Sequence, residues 1–153
     1  MLILVSGSTR SVAKHPEVGI LIVPAAGNKY DYLKGRKWAA DNGAYTRFDQ
    51  PRYERMLDRL HIETRWRGCL FVTAPDVVAN APETLHLFRR WGPQIRAYGA
   101  TVALVAQDGL ESLRVPWDDF DALFIGGSTH WKISRAAANL AAYAKARAVG
   151  QRL

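Results

Sequence analysis

What most constrains this chain is the alternation of short apolar runs with stretches of helix length. Leu2 to Val5, Val18 to Val23, Cys69 to Thr73, Thr101 to Val105 and Ala122 to Ile125 are brief and rich in β-branched or other apolar residues, the pattern of strands buried on both faces. Between and after them lie the helical patterns Pro51 to His61, Pro82 to Tyr98 and Ser134 to Val149. The first two open on a proline, at a position where its missing N–H costs little. Strand and helix in alternation argue for an α/β fold with a parallel sheet and crossover helices, either doubly wound or part of a (β/α) barrel.

One domain is expected over residues 1–153. The chain is 48% hydrophobic, enough for one sizeable core and too short for two comfortable ones. No internal repeat, low-complexity segment or interdomain linker interrupts it. The least regular stretch, Pro24 to Lys37, reads as a solvated connection rather than a phosphate cradle. Gly99 is placed as a helix cap, and Gly35 and Gly68 as turn residues.

Lysine and arginine exceed aspartate and glutamate by 21 to 14, so a positive field surrounds the protein and favours a polyanionic partner, nucleic acid before an anionic membrane. Those cations are dispersed along the chain, so any basic patch is assembled by folding; the alternative is that they simply solvate helix faces. Cys69 is the sole cysteine. It allows no internal disulfide, and its apolar run suggests a buried thiol in a reducing compartment. The apolar runs are far shorter than a membrane span, and the N-terminus lacks a basic segment followed by a signal-type apolar core. A cytoplasmic protein without membrane association is expected.

In a parallel α/β fold ligands sit beyond the carboxyl ends of the strands, where the loops converge. Four such ends are polar or glycine-rich: Thr73-Ala74-Pro75-Asp76, Ala106-Gln107-Asp108-Gly109, Ile125-Gly126-Gly127-Ser128, and the strand-like Trp38-Ala39-Ala40 followed by Asp41-Asn42-Gly43. Guanine presents donors at N1 and its exocyclic amine and an acceptor at its carbonyl oxygen. Carboxylates at Asp41 and Asp76 suit the donors. Gln107 and a backbone N–H at Gly126 or Gly127 suit the carbonyl, and glycine there lets a flat ring approach the main chain. Tyr45 is placed to stack on the ring. Taken singly, each residue has a plainer explanation as a cap or turn; taken together they describe a base pocket. Asp108 reads as the cap of the Gln107-Asp108-Gly109 turn, with a supporting carboxylate as the alternative.

The segments WAADNGAY, FVTAPDVV, ALVAQDGL and LFIGGSTHWK, in this order, resemble the tRNA-guanine transglycosylase superfamily, queuine tRNA-ribosyltransferases included. The closer likeness is to its phage and actinobacterial branch, whose members insert 7-deazaguanine bases, preQ0 among them, into DNA. The resemblance spans nearly the whole chain. It implies a (β/α)-barrel variant, an incomplete TIM barrel, with Asp41, Asp76, Gln107 and Gly127 at the family's base-recognition positions.

In the family's reaction an aspartate attacks the sugar carbon, guanine leaves, and the incoming 7-deazapurine displaces the enzyme. The family places that nucleophile on a strand beyond the helix corresponding to Ser134 to Val149. No such strand follows here, so the resemblance implies a domain lacking the family's C-terminal strands: either a shortened enzyme or a short form that binds without completing the exchange. Asp41 as catalytic nucleophile is the alternative to its role as base contact and proton acceptor.

The tRNA-acting members carry a zinc site of three cysteines and a histidine. One cysteine cannot supply it, and His15, His61, His86 and His130 do not fall at ligand spacings, so neither metal nor cofactor is expected. DNA is thereby favoured over tRNA as partner. No Walker loop or GxGxxG follows a strand. Lys132, just past the Gly126-Gly127 loop, and Arg135 are the candidate phosphate contacts. An enzyme of this kind must flip its base out of the duplex; a binding protein with the same pocket would hold base or nucleic acid without turnover.

Overall fold

Six strands run parallel in one sheet, side by side in the order in which the chain makes them: β1 (Leu4–Ser6), β2 (Gly19–Ile22), β3 (Trp38–Ala40), β4 (Cys69–Thr73), β5 (Val102–Ala106) and β6 (Ala122–Ile125). The helices are α1 (Thr9–Val12), α2 (Gln50–Thr64), α3 (Ala81–Ala97), α4 (Thr129–Lys132) and α5 (Arg135–Gly150). The structure, a computed structural model, describes residues 2–7, 9–26, 28–45 and 47–150. The sequence expectation of a parallel α/β fold holds, with one strand more than the five apolar runs and with bounds shifted by a few residues at most ends.

The strand order carries a consequence. A doubly wound sheet reverses its order at a switch point and places helices on both faces. Here the order never reverses, and crossovers between parallel neighbours are right-handed, so the connections fall on one face. The core lies there. Ile20, Ile22, Trp38, Ala40, Val72, Val102 and Leu104 point from the sheet into Tyr53, Leu57, Leu60, Leu85, Phe88, Trp91 and Ile95 of α2 and α3. Side chains alternate along a strand, so the opposite face carries Leu21, Ala39, Ala103, Val105 and Phe124. On that face the rings of Phe71 and Phe124 meet at 6.1 Å, across the small Ala103 of the strand between them.

The helices start where the sequence signals them. Asp49 accepts from the Arg52 N–H at 3.0 Å ahead of α2, and Asn80 accepts from the Glu83 N–H at 3.1 Å ahead of α3. Each cap satisfies a backbone donor that the first turn leaves without a partner. Arg65, at φ 47°, ends α2 in the left-handed region.

The stretch from Pro24 to Lys37 corrects the expectation of a solvated connection. It contains a 3-10 turn, Tyr30–Leu33, that buries both Tyr30 and Leu33, and the guanidinium of Arg59 from α2 lies 4.6 Å from the Tyr30 ring centroid. The turn does the packing that a crossover helix does elsewhere. Gly27, in the same stretch, lies outside the described residues. Cys69 is a core thiol: burial pushes its pKa up to about 12, which removes it as a nucleophile. No helix among the described residues is long and apolar enough to cross a membrane.

Candidate functional site

The carboxyl ends of β3, β4 and β5 are joined by one continuous hydrogen-bonded network. Its first organiser is the register between β3 and β4. Trp38 pairs with Cys69 and Ala40 with Val72, so one strand is a residue longer than the other between those pairs. A bulge of this kind re-aims the residues that follow it. It brings Asn42 onto Thr73: the Asn42 N–H donates to Thr73 Oγ1 at 2.9 Å, and Thr73 Oγ1 in turn donates to Asp41 Oδ1 at 3.1 Å.

Asn42, only 1% exposed, is the hub. Its side-chain amide donates to the Ala74 carbonyl at 2.8 Å and to Asp76 Oδ1 at 2.8 Å, with Thr73 Oγ1 at 3.1 Å as a third acceptor. Its Oδ1 accepts from the Ala44 N–H at 2.7 Å, which fixes which end of the amide faces which way. Below it the Tyr53 hydroxyl, on α2, donates to the Thr73 carbonyl at 2.7 Å. Burial, with the charge of Asp41 adding to it, holds that phenol well above its ordinary pKa, so Tyr53 serves as a neutral donor.

From the other side Gln107 completes the grip on Asp76. Its Nε2 donates to Asp76 Oδ2 at 2.5 Å while its Oε1 accepts from the Ala79 N–H at 2.8 Å. Ala79 sits at φ 59°, a left-handed conformation that costs a residue with a side chain about 1–3 kcal/mol. Thr84 holds the loop in place, its hydroxyl accepting from the Val77 N–H at 3.0 Å and donating to the Val77 carbonyl at 3.2 Å. The loop is thus bent so that a backbone donor reaches Gln107.

Asp76 is pushed above the ordinary aspartate pKa. Burial is the largest cause and the charge of Asp41 adds to it, while the amides of Asn42 and Gln107 pull the other way. An ionised carboxylate has about four acceptor sites and a side-chain amide nitrogen two hydrogens. Asp76 has one amide donor on each oxygen, so both oxygens retain an acceptor site. Among the described residues Gln107 Nε2 has one acceptor, Asp76, so it retains a hydrogen. An acceptor on half-buried Asp76 and a hydrogen on Gln107, which is itself 2% exposed, therefore lie side by side just beneath the strand ends.

The end of β6 supports this arrangement in two ways. Gly126 lies against Gln107, and a Cβ there would come 2.8 Å from Gln107 Nε2 and 2.7 Å from Val105 Cγ1. The absent side chain is room for the amide. Its N–H donates to the Ala106 carbonyl at 2.9 Å, so of the two backbone donors considered, that of Gly126 is engaged in the sheet. Gly127, at φ 81°, has Asp108 Oδ2 2.6 Å and Trp131 Cε3 2.7 Å from where a Cβ would stand.

Asp108 is the supporting carboxylate. It accepts from the Ser128 N–H at 2.8 Å and the Ser128 hydroxyl at 2.6 Å, tying the end of β5 to the end of β6. Burial raises its pKa, but the bonds from Ser128, together with its own backbone N–H and the charge of His130, outweigh that and hold it below the ordinary value. The Gln107-Asp108-Gly109 turn forms as well, closed by the Leu110 N–H on the Gln107 carbonyl at 3.1 Å, without the Asp108 carboxylate.

Of the residues singled out from the sequence, Asp41, Asp76, Gln107 and Gly126 are brought together, with Gly127 one step further along the rim. Tyr45 is 85% exposed on the loop after Asp41 and stacks on no ring among the described residues. Lys132 and Arg135 are exposed on α4 and α5. Asn42, Thr73 and Ser128 are the members that sequence reasoning missed. Among the described residues no cluster of three or more histidine, cysteine, aspartate or glutamate side chains is placed to hold a metal ion. A cleft of about 630 Å³ adjoins the rim at Asn42 and Gly43 and runs past Pro24 and Phe48 to Arg52. Compared with models of protein families, with curated proteins and with solved structures, the chain matches none of them.

Proposed function

We propose that this rim recognises a guanine-type base, and that the protein takes part in exchanging guanine in DNA for a 7-deazaguanine base of the preQ0 kind. The observation that carries the reading is Asp76 held between the amides of Asn42 and Gln107. The acceptor left on Asp76 and the hydrogen left on Gln107 match the N1–H and carbonyl oxygen that guanine and its 7-deaza analogues display side by side. A site built to meet such an edge rejects bases lacking it, because its buried polar groups are then left without partners.

Supporting the assignment are the unreversed strand order, which suits the incomplete (β/α) barrel of this reading, and the formal net charge of +7, which suits a polyanion. The lone, half-buried thiol of Cys69, packed against the core, suits a cytoplasmic setting. In the exchange a carboxylate attacks the sugar carbon as the bond to the guanine nitrogen breaks, and the incoming base then displaces the carboxylate. Within this chain Asp41 is the candidate for that step. Its carboxylate is half-buried, oriented by Thr73 and the Gly43 N–H.

A second reading has its own support. Both rim carboxylates are engaged by neighbouring donors, the arrangement of a recognition site, and a protein that binds the base without exchanging it fits this equally. One experiment separates them: the protein is incubated with guanine-containing DNA, or with tRNA, and labelled guanine or preQ0. Label entering the DNA establishes exchange; saturable binding of the free base with no label in either polymer establishes the binding protein. Failure of the free base to bind at all overturns both.

A further inference from the structure

We propose that the groove between α2 and the residues Pro24, Ala26, Asn28 and Tyr30 is a track for the phosphates of a single DNA strand, leading to the rim. Two clefts form it. The first, about 630 Å³, begins at Asn42 and Gly43 and is lined by Arg47 and Arg52; the second, about 290 Å³, is lined by Arg52, Arg55 and Arg59. They share Pro24 and Arg52, so the two clefts adjoin along α2.

Helical spacing aligns the cations. Arg52, Arg55 and Arg59 are three and four residues apart, which places them on one side of α2, over about 10 Å of helix. Among the described residues Arg47, Arg52 and Arg55 form no ion pair, whereas Arg59 pairs with Glu63 and lies over Tyr30. Against these four arginines the carboxylate lining the clefts is Asp49, in the first, with Asp41 bonded to Gly43 at one end and Glu63 paired with Arg59 at the other. The groove is therefore net positive. Tyr45, two residues beyond Gly43 of the first cleft, offers an exposed ring, and guanidiniums in line with an exposed aromatic ring nearby are what single strands bind: phosphates on the cations and a base on the ring. That the strand's base then turns into the rim rests on the pocket reading above; the phosphate track does not.

The test is binding of a fluorescein-labelled, mixed-sequence 12-nucleotide DNA single strand across a salt series, read by anisotropy. The variants are Arg47→Ala/Arg52→Ala/Arg55→Ala, with Arg89→Ala/Arg90→Ala on α3 as a charge control, each checked for its fold by circular dichroism. The track predicts at least a tenfold loss for the triple variant, with a log–log salt dependence shallower by about 2, since a single-strand phosphate contact contributes about 0.7. The α3 control should retain the wild-type slope. Equal losses in both variants, or none in the triple, would overturn the track, as would tighter binding of duplex than of single strand. Free preQ0 binding, measured on the same proteins and on Asp76→Ala, keeps the two readings apart. If Asp76→Ala binds preQ0 normally while the triple variant still loses DNA, the pocket fails and the track stands.

Discussion

Gly126 and Gln107 meet so closely that the space one lacks is the space the other fills: a Cβ on Gly126 would stand 2.8 Å from Gln107 Nε2. Since Val105 Cγ1 would be equally crowded, at 2.7 Å, the amide is the group able to yield. Gly126→Ala should therefore turn Gln107 away from Asp76. Overpacking of this kind costs about 1–3 kcal/mol, seen as a lower urea midpoint, and preQ0 affinity should fall further than stability alone requires. Normal affinity in the folded variant would mean that Gln107 does not face the base.

Thr73 supplies the second prediction. Its hydroxyl accepts from the Asn42 backbone and donates to Asp41, and it is fully buried. Thr73→Val keeps the shape and removes these two bonds and the one from the Asn42 side-chain amide, leaving the Asn42 N–H buried without a partner. Such a group costs about 1–3 kcal/mol. Denaturant unfolding should show that loss at unchanged slope; a change within about 0.5 kcal/mol, the range of a neutral surface substitution, would remove Thr73 from the network.

These two residues also show where the sequence could and could not be read. β4 stands where its apolar run stands, Cys69–Thr73, because a central parallel strand is apolar along its whole length, and the edge strand β6 likewise coincides with the run Ala122–Ile125. β3 is only Trp38–Ala40, three residues of which two are alanine, a weak strand former; its pairing on both sides decides it. Asp76 and Gln107 were legible because a polar residue at the end of an apolar run stands out. Asn42 and Thr73 were not, since their meeting across 31 residues depends on the β-bulge ahead of them, which composition does not announce. Asp108 reads as a turn residue for the same reason: its partner Ser128 comes from the register of Ala106 on Ile125.

That Asp108–Ser128 pair is the third test. The Ser128 hydroxyl donates to Asp108 and accepts from the Trp131 N–H, so Ser128→Ala loses a cap worth about 0.5–2 kcal/mol together with a bond to a carboxylate. The sign of the pH effect follows from the lowered pKa of Asp108. A carboxyl depressed in the folded state stabilises above its unfolded value, and that contribution disappears as pH falls through the ordinary aspartate range to the lowered value. Wild type minus Ser128→Ala, measured by thermal unfolding from neutral to acid pH, should narrow as the pH drops. A constant difference would leave only the cap.

Asp76 behaves in the opposite sense. Burial raises its pKa in the folded chain, so just above the ordinary aspartate value the folded chain still holds a proton that the unfolded chain has released. In that window stability falls as pH rises, levelling off once the folded carboxyl has ionised. Base binding should run the other way, because only the ionised form can accept from both the two amides and the N1–H of the base. Affinity for preQ0 should increase with pH through a midpoint above the ordinary aspartate range, and Asp76→Asn should abolish that dependence along with most of the affinity, since it turns an amide donor toward the donors of Asn42 and Gln107. Binding by calorimetry from acid to neutral pH measures both. A wild-type affinity that is flat across that range, with Asp76→Asn still binding, would show that the base is held elsewhere and that Asp76 does no more than brace the ends of β4 and β5.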